Sequence, residues 1–295
     1  MPAWIFYSLL ATVSIAVVSV IDKSVLSNWM ADARGSFFVF TAIEALSGLA
    51  ALLILGVPRL PAGLLAIALA SGAALSLSTL CYFRAIQVED VSRVVPLYSL
   101  SPLFVAVFAA VFLGEVFTPV KYLGVLLIVC GALLISLKRL RGFRFGHGMA
   151  WMLLSILLVT AGAVASKYVL DSVDPWTLFA YGKLGTFFAG APFLASGYRA
   201  FASAYREHGS RVLIFTGLSE GITSITTIFF LYAGSTGYIT LVNALVGTQP
   251  FFLLLLSAVI SRYWPKILHE ELDGRLLARK LVAILLLFAG AWIIT

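Results

Sequence analysis

Three ionisable side chains stand in the middle of long apolar runs: Glu44, Lys183 and Glu220. Each lies about eight residues inside its run, roughly 12 Å from the boundary at the rise of an α-helix. A charge at that depth of a bilayer costs about 2.5 to 3.5 kcal/mol on insertion scales, so each must face protein or water. A carboxylate there can take up and release a proton, and an ammonium can hold a substrate anion. The competing reading is a Glu44–Lys183 ion pair that only fixes packing. Glu220 opens a polar stripe with Thr223 and Thr227 at i, i+3 and i+7, the spacing of one helix face. That stripe makes Glu220 the foremost candidate for a proton-coupling group.

Hydroxyls and amides form a second tier. Ser76, Thr79 and Tyr82 make a stripe that matches Ser224, Thr227 and Phe230, and Tyr98, Ser99, Asn243 and Gln249 add polar groups further along. A single Ser or Thr more often glues helices together, at around 0.6 to 2 kcal/mol. An amide needs several partners, which a cavity holding water or substrate supplies most easily, so Asn243 and Gln249 are binding candidates. Pro102 and Pro250 each remove a hydrogen bond mid-span and are expected to free the carbonyls of Tyr98 and Val246. They read either as static kinks or as hinges. Asp22, Lys23, Arg84 and Lys167 fall at expected helix ends, where snorkelling to the interface accounts for them. His147, His208 and His269 share no metal-ligand spacing, so no metal site is expected, and Cys81 and Cys130 lie in apolar runs and support no redox argument.

The elements that carry these residues must be membrane helices. Of 295 residues, 61% are hydrophobic and 11% charged, against about 45–50% and 25% in soluble domains. A soluble globular protein is excluded. The formal net charge of +7 comes from Lys and Arg in loops between apolar runs, a distribution that does not make a nucleic-acid surface. The N-terminus lacks a basic segment ahead of its apolar run, so it reads as the first span. Apolar windows predict helices near 3–22, 36–57, 62–84, 94–113, 120–137, 147–168, 175–197, 211–233, 239–261 and 279–294.

The halves resemble each other. Residues 71–112 set against 219–260 without gaps give 10 identities in 42 positions, among them Ser76 with Ser224, Thr79 with Thr227, Ala85 with Ala233 and Pro102 with Pro250. The same comparison puts Glu220 opposite Gly72, and Phe40–Glu44 set against Phe179–Lys183 puts Glu44 opposite Lys183. The chain therefore divides into a first five-helix repeat over 1–137, a basic linker over 138–146 and a second five-helix repeat over 147–295. Five is odd, so the second copy enters the bilayer upside down, the inverted repeat of many secondary transporters. The expected fold is an all-α membrane protein of ten transmembrane helices. Sixteen Lys and Arg fall on the side of the connections after helices one, three, five, seven and nine, and three on the other. Those basic loops are expected to be cytoplasmic and the termini outside.

Phe112-Leu113-Gly114-Glu115-Val116-Phe117-Thr118, followed by the Gly124–Gly131 helix, resembles the end of the repeat in the drug/metabolite transporter superfamily, in its EamA-type members. The second copy departs from that pattern, with Ser261-Arg262-Tyr263-Trp264 in place of the Leu-Gly-Glu turn. The resemblance implies a ten-helix carrier, often an exporter, in the inner (plasma) membrane. Its central cavity would be lined by helices one, three, four, six, eight and nine, and it implies no bound cofactor. It also implies cytoplasmic termini, opposite to the charge count, which is retained. The expected function is export of a small polar or amphipathic metabolite by alternating access, with the bilayer and the substrate as partners and protons as the candidate coupling ion. A lipid-linked substrate flippase and a facilitated-diffusion uptake carrier are the alternatives. A membrane enzyme is disfavoured by the lack of a clustered His, Cys or Asp set.

Overall fold

The computed structural model describes residues 1–30, 32–89, 91–136, 146–263 and 274–295, and among them every regular element is helical. In chain order these are α1 (Ala3–Asn28), α2 (Ala33–Leu55), α3 (Ala62–Val88), the single turn α4 (Val91–Val94), α5 (Ser101–Leu113), α6 (Pro119–Ser136) and α7 (His147–Leu170). Then come α8 (Pro175–Gly190), α9 (Leu194–His208), α10 (Ser210–Thr236), α11 (Ile239–Val246), α12 (Gln249–Tyr263) and α13 (Gly274–Ile294). Among the described residues, eight helical stretches are long and apolar enough to cross a bilayer, so the chain is a multi-pass membrane protein. The basic linker from Lys138 to Arg144, and His269 to Asp273, lie outside the described residues.

Local chemistry sets the ends. Asp32 and Asp174 cap α2 and α8, accepting from the amides of Arg34 and of Trp176 and Thr177 at 3.0 Å. Pro175 stands first in α8, where its missing N–H costs nothing. Gly114 ends α5 at φ +69°, the left-handed cap that glycine adopts freely.

The fourth and ninth expected helices are broken. Val95–Leu100 winds as a 3₁₀ turn before α5, and Gly247-Thr248 separates α11 from α12. Pro102 and Pro250 are each the second residue of the helix that follows the break. They start helices instead of interrupting them, which is where proline is tolerated. The carbonyl of Tyr98 is not free as expected, because the tightened winding brings the Ser101 N–H onto it. The two breaks touch, and a Cβ on Gly247 would lie 3.2 Å from Pro102 Cγ.

The seventh expected helix, 175–197, is also in two pieces and runs on to His208. Pro192, within a 3₁₀ turn over Ala191–Phe193, interrupts the amide ladder between α8 and α9. Both pieces follow α2 in the opposite direction. The Tyr181 hydroxyl donates to Pro58 O at 2.6 Å at one end. At the other, a Cβ on Gly197 would lie 2.6 Å from Arg34 O.

Helices of the first half pack chiefly on helices of the second: α3 on α7, α1 on α10, α2 on α8 and α6 on α13. Ser78 and Ser155 clasp α3 to α7, each hydroxyl donating to the other's carbonyl at 2.8 Å. Glycines bring α6 and α13 together, with the Cβ position of Gly290 2.5 Å from Gly124 O. Such small-residue contacts replace the hydrophobic driving force that lipid removes.

Candidate functional site

Lys183 and Glu44 meet between α8 and α2, Lys183 Nζ donating to Glu44 Oε1 with the two residues 2% and 1% exposed. The ammonium also reaches α10, with Ser224 Oγ and Thr227 Oγ1 each at 3.4 Å. It stands 5.2 Å from the centre of the Phe179 ring, close enough for a cation–π contact. All of its donors are thus directed at protein groups. Glu44 is less well served, because its Oε2 has no hydrogen-bond partner among the described residues. Thr186 sits beside it but directs its hydroxyl at the carbonyls of Gly72 and Gly182, each 3.1 Å away.

Glu220 is half-buried on α10 and lies within electrostatic reach of Asp22, Glu44 and Lys183. Asp22 was expected at a helix end. Because α1 continues to Asn28, it lies inside the helix instead, and it accepts a hydrogen bond from Ser219, the neighbour of Glu220. Tyr82 lies near Asp22, and its ring meets that of Tyr98 edge to face at 6.2 Å. The structure thus gathers Glu44, Lys183, Thr227, Glu220, Tyr82 and Tyr98 into one polar region and adds Asp22, Ser219 and Ser224. Only local spacing was available to the sequence reading, which could not show that Asp22 on α1 opposes Ser219.

Other candidates bond locally. Thr79 and Thr223 donate to carbonyls one turn back, Leu75 O at 3.0 Å and Ser219 O at 2.9 Å. Asn243 does the same to Ile239 O at 3.0 Å. Ser76 is fully buried beside Gly190 of α8, its hydroxyl without a partner among the described residues. Gln249 reaches across to α1, donating to Ser19 Oγ at 2.8 Å.

Glu115 joins the halves. At 5% exposure it accepts from the amides of Ile239 and Thr240 at 2.8 and 3.0 Å and from the Thr240 hydroxyl at 2.7 Å. A first-half turn thereby caps the first piece of the broken α11–α12 helix, satisfying amides that a helix start leaves open. Apart from this, Asp32, Arg34, Arg84 and Gln87 line an open hollow of about 440 Å³. The Arg34 guanidinium hydrogen-bonded to Asp32 holds that carboxyl below its ordinary range.

The stretch that supplies Glu44, the Pro102 break and the Glu115 cap matches a described family over residues 2–137. That family is the EamA-like transporter family. Over 66 residues the chain is 47% identical to an "Uncharacterized transporter in cobO 3'region" of Sinorhizobium sp, covering 22% of this chain and 47% of that protein. The match spans about half the length of that relative. A solved crystal structure shares the fold across the chain, with a TM-score of 0.72 at 20% identity, covering 99% of this chain and 96% of that one. The EamA-like stretch and the remainder of the chain thus fold together as one helical membrane body.

Proposed function

We propose that the chain is a secondary transporter that exports a small polar or amphipathic metabolite by alternating access. It has ten spans in two inverted five-helix repeats, 1–137 and 147–295, joined by the linker 138–146. The observation that carries this is the Glu44–Lys183 pair buried inside an apolar helical body, with the half-buried Asp22 and Glu220 beside it. Charges at that depth are retained where they serve an ion or substrate path. The broken helices α4–α5 and α11–α12, with proline at matching places, support the reading, since discontinuous helices build midplane sites in secondary carriers. The pairing of first-half with second-half helices supports two repeats that rock about a shared site.

In this reading Glu220 carries the coupling proton. The Glu44–Lys183 pair holds α2 to α8 and touches α10 through Ser224 and Thr227. Pro102 and Pro250 mark hinges, and Tyr82, Tyr98 and Gln249 face the path. Basic loops lie in the cytoplasm and the termini outside the inner membrane.

Reconstitution tests the reading. Vesicles containing the protein and an internal pH dye are challenged with amino acids, nucleosides, polyamines and amphipathic amines. A proton flux that appears with one class and needs the protein is expected. If all four classes leave the dye signal at the protein-free level, while the reconstituted protein is folded, the proton-coupled reading is contradicted.

A further inference from the structure

The open hollow of about 440 Å³ lined by Asp32, Arg34, Arg84 and Gln87 lies where α3 ends and α2 begins. Its carboxylate is already taken. Arg34 Nε lies 3.1 Å from both oxygens of Asp32 and Nη2 lies 2.7 Å from Oδ2, while the Arg34 amide donates to Oδ1 at 3.0 Å. Those contacts leave Nη1 of Arg34 without a partner among the described residues. Arg84 and the Gln87 amide, three residues further along α3, make no hydrogen bond or ion pair among the described residues. The hollow therefore sets one guanidinium beside a neutral Asp32–Arg34 pair, a net positive charge with donors to spare.

Arg84 also ends an outward stripe of α3. Ala66, Ala70, Leu77, Arg84 and Val88 are all exposed, and their spacing of i, i+4, i+11, i+18 and i+22 keeps them on one helix face. The other faces of α3 are occupied, by α8 at Gly72, by α7 at Ser78 and by the Tyr98 ring at Tyr82. In a chain that crosses a bilayer, the face left over meets lipid. Ala70 and Leu77 give it an apolar column that runs roughly 21 Å below Arg84 at helical rise. The depth of the hollow is marked by α9, which passes the start of α2 where a Cβ on Gly197 would lie 2.6 Å from Arg34 O. That helix exposes Tyr198 with Arg199 and, seven residues on, Tyr205 with Arg206. Tyrosines and snorkelling arginines belong at the level of the headgroups.

We propose that this hollow is a site for an anionic phospholipid, its phosphate held by Arg84, Gln87 and Nη1 of Arg34 and one acyl chain laid along Leu77 and Ala70. A guanidinium fork matches two phosphate oxygens, and basic pockets between spans suit anionic headgroups. The net charge at Arg84 selects an anionic headgroup over a zwitterionic one. A soluble phosphate shares the headgroup contacts but lacks the chain. Bound there, the lipid bridges α2 to α3 on the outer surface, apart from the Glu44–Lys183 pair, and the site stands whatever the carrier moves.

Titration of the purified full chain in detergent with phosphatidylglycerol, phosphatidylcholine and inorganic phosphate tests this, with the apparent Tm as the readout. Phosphatidylglycerol is expected to raise Tm at lower concentration than phosphatidylcholine, and phosphate to leave it unchanged. Arg84→Gln should weaken phosphatidylglycerol by about tenfold, the loss of one charged contact. Arg206→Gln removes the same charge outside the hollow and should change that affinity by about twofold or less, as for an exposed charge. If Arg84→Gln fails to fold, the wild-type preference among the three probes decides. Equal affinity for the two lipids, or an equal loss in the two variants, would overturn the site and leave only a general attraction of the basic surface for anions. Phosphate as effective as phosphatidylglycerol would overturn the lipid assignment in favour of a soluble anion.

Discussion

Lys183 donates to Glu44 across the α2–α8 contact, and the sequence comparison of the halves places these residues opposite each other with opposite charge. One helix from each half thus supplies one end of a fully buried ion pair. Two charges out of water are tolerable together and costly apart.

Glu44→Gln or Lys183→Met alone should each destabilise the protein by about 3 to 5 kcal/mol, because a buried charge is left without its partner. The double variant should regain most of the loss, since the effects of residues in direct contact do not add. Thermal unfolding of the three purified variants measures this. Equal additive losses would show that the pair is not a structural unit.

Gly72 on α3, packed against Gly182 of α8, and Glu220, its counterpart on α10 in the comparison of the halves, should respond oppositely to the same side chain. Gly72→Val places a Cβ 1.8 Å from Gly182 O, an overlap expected to cost about 3 kcal/mol or more. Glu220→Val should leave a folded protein that no longer couples transport to protons. Yield and Tm in detergent, followed by vesicle flux, separate the two.

Asp174 gives a prediction on acid stability at the start of α8. Burial pushes its carboxyl up, but hydrogen bonds from the Thr177 hydroxyl and from the amides of Thr177 and Trp176 outweigh this and hold it below the ordinary value of 3.8. A group depressed on folding adds stability above its unfolded pKa and loses it as pH falls through the folded one. Asp174→Ala should therefore cost about 1 kcal/mol near neutral pH, as for other N-cap losses. The difference from wild type should vanish in acid below the folded pKa. A gap that persists there would assign the effect to something other than the carboxylate.

Sidedness follows from sixteen Lys and Arg against three. Single cysteines placed over residues 138–144 and 262–280 should resist an impermeant thiol reagent on intact cells, while cysteines at the termini react. The opposite labelling would reverse the orientation.

Helix positions were legible because a bilayer demands long apolar runs, and those runs predict α1, α2, α3, α6, α7 and α10 to within a few residues at most ends. Hydropathy ends where polarity begins, however, and α1 continues six residues beyond Asp22 to Asn28. Asp22 therefore read as an interfacial residue, although the longer helix holds it half-buried against the Ser219 hydroxyl. Pro102 read as a kink or hinge inside one helix, but the tight turn that gives the Tyr98 carbonyl a new donor is a backbone adjustment without a residue signature. Glu115 carried the family resemblance, and its partners lie 124 and 125 positions away, beyond any local spacing. Asn243 and Gln249 looked alike as amides in hydrocarbon. Asn243, in α11, bonds to its own helix, and Gln249, first in α12 beyond the break, bonds to α1.

Proton-driven accumulation by Glu220→Gln vesicles decides whether Glu220 carries the coupling proton. Wild-type and variant protein are reconstituted side by side, and the substrate class that produces proton flux in the wild type is followed under an imposed pH gradient and in exchange without one. The variant should lose gradient-driven accumulation while keeping part of its exchange, because the path survives and the titrating group does not. Accumulation by Glu220→Gln against the substrate gradient, with the pH dependence of the wild type, would contradict it.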